Sequence, residues 1–420
     1  MAARPRASRA ASAAAAGPRS RVRDVLLLGA LSSFAPLSID MYLPALPIMA
    51  RDLHTSAAAA QLSLTACLIG LAAGQLLAGP LSDARGRRRP LLVGVAVYAA
   101  ASALCIAAPN IWVLLALRLA QGLAGAAGIV IARAVVRDRY DGNDLARFYA
   151  LLLIVSGAAP ILAPILGAQL LHVTTWRGVF AVLALIGVVL LAASAAGLPE
   201  SLPPQRRQTG GARATLRDGR LLLADRSFRG YALSSGLAFG AMFAYISGSP
   251  FVLQAKFGIS PQLFSLIFAI NGLGIIAAGQ VSRGLIGRVP PRALLTIGLT
   301  GSAAGGVALL VAAVAGLGLP LILPALFVVV ASIGIVLPNA TALALDRHAH
   351  DAGSASGILG LAQFAVGAAA APLVGVAGPR TDLPMAIVIC ALGLGARLLA
   401  PRRRGDPGAS GGPRERQARA

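Results

Sequence analysis

Charge is scarce in this 420-residue chain: Asp, Glu, Lys and Arg make up only 12%, and just 15 residues are acidic. A soluble protein of this size needs far more charge to cover its surface, which excludes an ordinary soluble globule. The three cysteines, Cys67, Cys105 and Cys390, each lie inside an apolar run. They offer neither a disulfide framework nor metal spacing and read as small packing residues. Of the four histidines, His54, His348 and His350 fall in loops and His172 lies at an interface. No set of His, Asp, Glu or Ser converges at one depth, and no Walker-type phosphate loop occurs. Neither an enzyme nor an ATP-driven pump is expected, and no cofactor or metal is called for. Interleaved aromatics are also missing around the arginines, so the net charge of +22 does not indicate nucleic acid.

What the chain does have is apolar sequence, with 57% hydrophobic residues and a mean hydropathy of +0.77. A hydrocarbon core of roughly 30 Å needs about 20 apolar residues per helix. Apolar runs stand at about 25–47, 61–81, 90–108, 111–132, 148–171, 177–197, 230–250, 262–286, 292–315, 319–340, 354–377 and 383–400. The expected fold is therefore an all-α membrane protein of twelve transmembrane helices. Residues 1–24 read as a tail rather than a cleaved signal, because the run that follows is long enough to span. Residues 25–197 and 230–400 form two six-helix bundles. The Pro-, Gly- and Arg-rich stretch 198–229 is a solvated linker between them, and 401–420 is a disordered tail.

Basic residues set the orientation. Of 37, only Arg51, Arg177, Lys256 and Arg380 fall in loops opposite the tails, and only Arg118 lies inside a helix. By the positive-inside rule both termini are cytoplasmic and the chain crosses the cell membrane many times. A repeat supports two related halves: Gly79-Pro80-Leu81-Ser82-Asp83-Ala84-Arg85-Gly86-Arg87 returns about two hundred residues later as Gly279-Gln280-Val281-Ser282 through Gly287-Arg288. Repeats of this kind are expected in transporters built around a midplane site.

Charges inside a membrane cost about 2.5–3.5 kcal/mol each at a helix centre on the insertion scale, and two are tolerated here, Asp40 and Arg118. At 1.5 Å per residue both sit roughly 10 Å below the outer boundary, so they can pair if their helices are neighbours. Such a pair is either a permanent neutralising contact or a proton switch. In the second case burial favours the neutral acid and the guanidinium favours the carboxylate. After Asp40, Pro44 and Pro47 free backbone carbonyls, and Tyr42 is either a cavity residue or an interfacial anchor.

In the turn at 79–90, Gly79, Asp83 and Gly86 precede Arg87, Arg88 and Arg89. Asp83 is placed to meet the positive end of the helix beginning Ser354-Ala355-Ser356-Gly357, latching the cytoplasmic side. Gly157, Pro160, Pro164 and Gly167 fall within eleven residues; they imply a bent helix with close contacts or a passive kink.

Together these segments resemble the major facilitator superfamily, and within it the Bcr/CflA-type drug:proton antiporters. Ile39-Asp40-Met41-Tyr42-Leu43-Pro44-Ala45-Leu46-Pro47 looks like that group's helix-1 signature. Gly79-Pro80-Leu81-Ser82-Asp83 through Gly86-Arg87-Arg88-Arg89-Pro90 looks like the superfamily's loop motif. Arg118-Leu119-Ala120-Gln121-Gly122 is similar to the helix-4 motif whose arginine is associated with proton coupling, and Ala159 through Gly167 to the helix-5 antiporter motif. All four lie in the first half.

The resemblance implies alternating access by two rocking bundles around a central cavity. Gln121, Phe239, Tyr245, Asn271, Gln363 and Phe364 are candidates to line it, each with interhelical packing as the competing reading. Some members carry a second acid about two turns before the helix-1 aspartate; here that position is Ser32, which favours a neutral or anionic substrate. The expected function is proton-driven efflux of drugs or small hydrophobic metabolites by a monomer. The alternative is an importer or facilitator of a small nutrient.

Overall fold

The computed structural model describes residues 18–207, 222, 224–346 and 352–401, and all regular structure among them is helical. The order is α1 (Pro18–Ser32), α2 (Phe34–Asp40), a 3-10 turn (Leu43–Ala45), α3 (Leu46–Asp52), α4 (Ala57–Arg85), α5 (Arg88–Ile106), α6 (Ile111–Arg139), α7 (Gly142–Leu170) and α8 (Trp176–Gly197). After the connecting stretch come α9 (Arg226–Pro250), which runs on through a π turn (Phe251–Lys256), α10 (Pro261–Gly284), α11 (Pro291–Val314), α12 (Leu319–Leu345), α13 (Ala352–Leu373) and α14 (Leu383–Leu399).

Among the described residues nine helices are long and apolar enough to cross a membrane, and a tenth span follows if α1 through α3 count as one bent crossing. The shorter apolar helices Gly157–Leu170 and Leu383–Leu399 make the whole consistent with twelve. Exposed leucines and valines such as Leu77, Val93 and Val189 are what a lipid-facing surface presents.

The first crossing departs from expectation. Its helix already takes in Pro18–Asp24, expected in the tail, and it is bent by 47° near Ser33. Pro36 cannot donate to the carbonyl of Ser32. Ser32 and Ser33 turn their hydroxyls back onto the carbonyls of Leu28 and Gly29 at 2.8 and 2.9 Å, a bond that bends helices. Pro44 then ends α2. Asp24, expected in the tail, is buried in α1 and pairs with Arg139 at 2.9 Å.

Helices α1–α8 pack mainly with one another, as do α9–α14, and the two groups meet along α4 against α13 and α7 against α10. Gln61 donates to Ser247 O at 3.0 Å and Thr65 to Ala368 O at 2.8 Å. Gln262 donates to Ala168 O at 3.1 Å and Ser265 to Pro164 O at 2.9 Å. All four bonds lie toward the end of the bundle opposite the connection between α8 and α9, here termed the distal end. At the other, proximal end residues 208–221 and 347–351 lie outside the described residues.

The connection does not float in solvent where it is described. Leu198 and Leu202 are buried and Glu200 is engaged by the α4–α5 turn; residues 208–221 and 223 lie outside the described residues, as does the tail beyond Pro401. The repeat has a geometric counterpart, since Gly86 and Gly287 both take φ of 88°. In the second copy Ser282 accepts from Asn339 at 2.9 Å.

Candidate functional site

Two glycine contacts position the polar centre of the first half. A Cβ on Gly122 would collide with the Cys67 carbonyl, and one on Gly70 with the Leu119 carbonyl, so α4 and α6 touch backbone to backbone. Arg118, one turn before Gly122, is thereby driven into the interior and is fully buried. It meets α2 where that helix ends and its last carbonyls lose their in-helix partners. Arg118 donates to Ser38 O at 2.7 Å and, over a short contact, to Gln121. Its Cζ lies 4.5 Å from the Tyr42 ring centre and 5.6 Å from that of Phe180, within cation–π range. Its Nε has no partner.

The surrounding groups are tied down in turn. Gln121 donates to Ser102 at 2.7 Å, and the Ser38 and Tyr98 hydroxyls share a bond of 2.8 Å. The Tyr42 and Ser63 hydroxyls lie 2.7 Å apart. Tyr42 is therefore an interior residue rather than an interfacial anchor.

The expected ion pair between Asp40 and Arg118 is absent. Asp40 is buried, and among the described residues it has no ion pair and no side-chain hydrogen bond. It lies within electrostatic reach of Tyr245 of α9, which stacks on Phe268 with ring centres 5.6 Å apart and accepts from Asn271 of α10 at 2.8 Å. The physical reason is the break at Ser33 and the end of α2, which shift the helix phase. Ser38 O points to α6, while Asp40, two residues on, lies on a different face of the helix end. Tyr245 and Asn271 are brought together in the second half. Phe239 and Phe364 meet edge to face at 5.8 Å, and half-buried Gln363 joins no hydrogen bond among the described residues.

The helix-5 segment seats the break. A Cβ on Gly167 would collide with the Met41 carbonyl. The ring nitrogen of Pro164 cannot donate, and the Pro164 carbonyl accepts from Ser265 across the seam. Gly157 has nothing within 4 Å of a Cβ, so it makes no close approach of the kind seen at Gly167.

At the proximal end, buried Arg87 donates to Asp83 at 2.6 Å and to Asp138 at 2.9 Å. Burial works against its charge, and bonds to Asp138 and Asp83 outweigh that, leaving its pKa raised. Glu200 caps α5 by accepting from the backbone N–H groups of Arg87 and Arg88 at 2.8 and 3.1 Å. Burial alone would raise its carboxyl, yet the N–H groups of Leu202, Arg87 and Arg88 hold it below the ordinary range. Gly86 makes the cap possible: it is left-handed, and a Cβ there would meet the Glu200 carboxylate at 2.5 Å.

Gly79 is under no such constraint. Arg88 donates to the carbonyls of Leu198 and Ala195. The expected latch from Asp83 to the helix at 354–357 falls partly outside the described residues, which omit the side chains of 352–354. Asp83 turns to Arg87 on its own side of the molecule.

Sequence reasoning missed Glu200, Asp138, Ser102, Tyr98 and Phe180. Only the acids carried a signal, each lying beside a basic cluster that needs neutralising.

The described helices thus pack in two groups, with a buried acid and an arginine-gripped break in the first. The pattern described as the Major Facilitator Superfamily matches residues 28–372. The chain belongs to this superfamily. An uncharacterised MFS-type transporter of Bacillus subtilis (strain 168), YdgK, is 41% identical over 374 residues, covering 88% of this chain and 92% of its own. A bicyclomycin resistance protein homolog of Haemophilus influenzae is 30% identical over 362 residues, covering 86% and 91%. Among solved structures, the nucleoside transporter NupG superposes with a TM-score of 0.75 at 13% identity, covering 91% of this chain and 98% of its own; that likeness concerns the fold. Superfamily members are multi-pass transporters of small molecules.

Proposed function

We propose that this superfamily transporter expels drugs or small hydrophobic metabolites across a cell membrane in exchange for protons. Support comes first from Asp40, a buried carboxylate without a hydrogen bond or counter-ion among the described residues, within electrostatic reach of Tyr245 of the other half. An acid so placed gains or loses a proton according to how the halves surround it. The resistance-named relative supports a drug or drug-like cargo. Arg118 serves as a positioning residue, holding the Ser38 carbonyl and hence the direction of Asp40.

The four bonds that seal the distal end fit the state that loads from the cytoplasm, with both termini and the α8–α9 connection on that side, as the basic residues require. One proton moving through 100 mV contributes about 2.3 kcal/mol and one pH unit about 1.4 kcal/mol, enough for a gradient of a few hundredfold. We take the functional unit to be a monomer, since one bundle pair contains the whole site.

The deciding experiment uses inverted vesicles with an imposed proton gradient and a panel of antibiotics. Asp40→Asn is expected to abolish gradient-driven transport while the protein inserts normally. Undiminished proton-driven transport by this variant would refute the role of Asp40. Whole-cell accumulation that rises with an uncoupler separates export from the importer alternative.

A further inference from the structure

The distal surface carries four basic residues, Arg51, Arg177, Lys256 and Arg380. Two have carboxylate partners: Arg177 pairs with Asp52, and Lys256 pairs with Asp382 at 2.6 Å. The other two, Arg51 and Arg380, have none among the described residues; Arg51 reaches only the carbonyl of its own Pro47 at 3.4 Å. Both line one cavity of about 610 Å³ lying between the halves, outside the distal seam. Its wall comes from α3 and the start of α4 on one side, and from the π turn and residues after α13 on the other. The lining contains no acid. Gln254 contributes an amide nitrogen that is buried without an acceptor, and Phe251, Ile259 and Val376 supply apolar surface.

We propose that this cavity binds an organic anion with an apolar body, and that the bound anion holds the distal end closed. Two uncompensated guanidinium groups in one cleft attract a carboxylate or sulfonate, the free Gln254 amide supplies a further donor, and the apolar wall accepts the body. Arg51 belongs to the first half and Arg380 to the second, so the site is complete only while the halves converge distally. A ligand that requires both favours that arrangement by its differential affinity. On the reading above, an anion accumulating outside would bind here and slow further turnover. The inference uses the two-bundle movement but not the proton role of Asp40.

The test uses the full chain in nanodiscs of zwitterionic lipid, with 2-naphthoate as the probe and 2-naphthamide as its neutral twin. Calorimetry should find binding of the acid, weakening with added salt, and at least tenfold weaker binding of the amide. Arg51→Gln and Arg380→Gln should each reduce acid affinity roughly tenfold, as loss of a charged hydrogen bond does, with thermal stability unchanged. Spin labels on the exposed pair Val173→Cys and Val314→Cys should shift toward the shorter distance when naphthoate is added.

Equal binding of acid and amide, or full affinity in the double arginine variant, would overturn the site. A distance distribution unmoved by bound naphthoate would overturn the closing effect. Failure of Asp40→Asn to stop proton-driven transport would touch neither result, so the two readings fail separately.

Discussion

Arg118 directs its donors to a carbonyl, an amide and two aromatic faces, and to no acid. That geometry needs a planar fork, which lysine lacks. Arg118→Lys is therefore expected to cut proton-driven efflux at least about tenfold at equal protein level, read by vesicle transport normalised to the purified amount. Wild-type flux with lysine would mean that charge alone suffices. At this scale the sequence made both interior charges legible, because each is costly in a membrane. It did not disclose their partners. Direction along a helix depends on an unbroken phase, and the serines and Pro36 that interrupt it act through backbone bonds that hydropathy does not register.

Among the elements, α7 and α5 invite the sharpest tests. Gly167 lies against the Met41 carbonyl, so Gly167→Val must displace α7 or the break. Overpacking of this kind costs about 1–3 kcal/mol, and a lowered midpoint in detergent thermal unfolding should report it. Gly157→Ala, with open space around it, should leave the midpoint unchanged.

The α5 cap has a pH signature. Glu200 is held below its ordinary value, so its contribution is present above the unfolded carboxyl range, near pH 4.3, and is lost as pH falls through the lower folded value. Glu200→Gln should loosen the turn at neutral pH by about 1 kcal/mol, the usual worth of a helix cap, and abolish that acid-linked change. Hydrogen exchange across residues 84–92, compared between the two proteins over the acid range, measures both. The turn's glycines and arginines were legible as a motif. Its cap was not, because Glu200 approaches from more than a hundred residues away and the sequence assigns it to a linker.

For the whole molecule, the spans and the repeat could be read from hydropathy and spacing, since lipid imposes length and apolarity on every crossing. Which end is closed could not, because that depends on a handful of bonds between polar side chains and backbone across α4–α13 and α7–α10. Interhelical hydrogen bonds in membranes average about 0.6 kcal/mol. Removing two of them in Gln61→Leu with Thr65→Val should therefore shift the distal equilibrium roughly tenfold toward the open form. Spin-label distances between Val173→Cys and Val314→Cys read that shift, and an unaltered distribution would place the closing energy in apolar packing instead.

Every one of those four seam bonds has a main-chain oxygen as its acceptor. No point mutation can delete such an oxygen, so a selection for altered gating can strike only the donor positions, Gln61, Thr65, Gln262 and Ser265. On the side facing each of them, drift in side-chain identity at the acceptor positions Ser247, Ala368, Ala168 and Pro164 leaves the accepting oxygen in place.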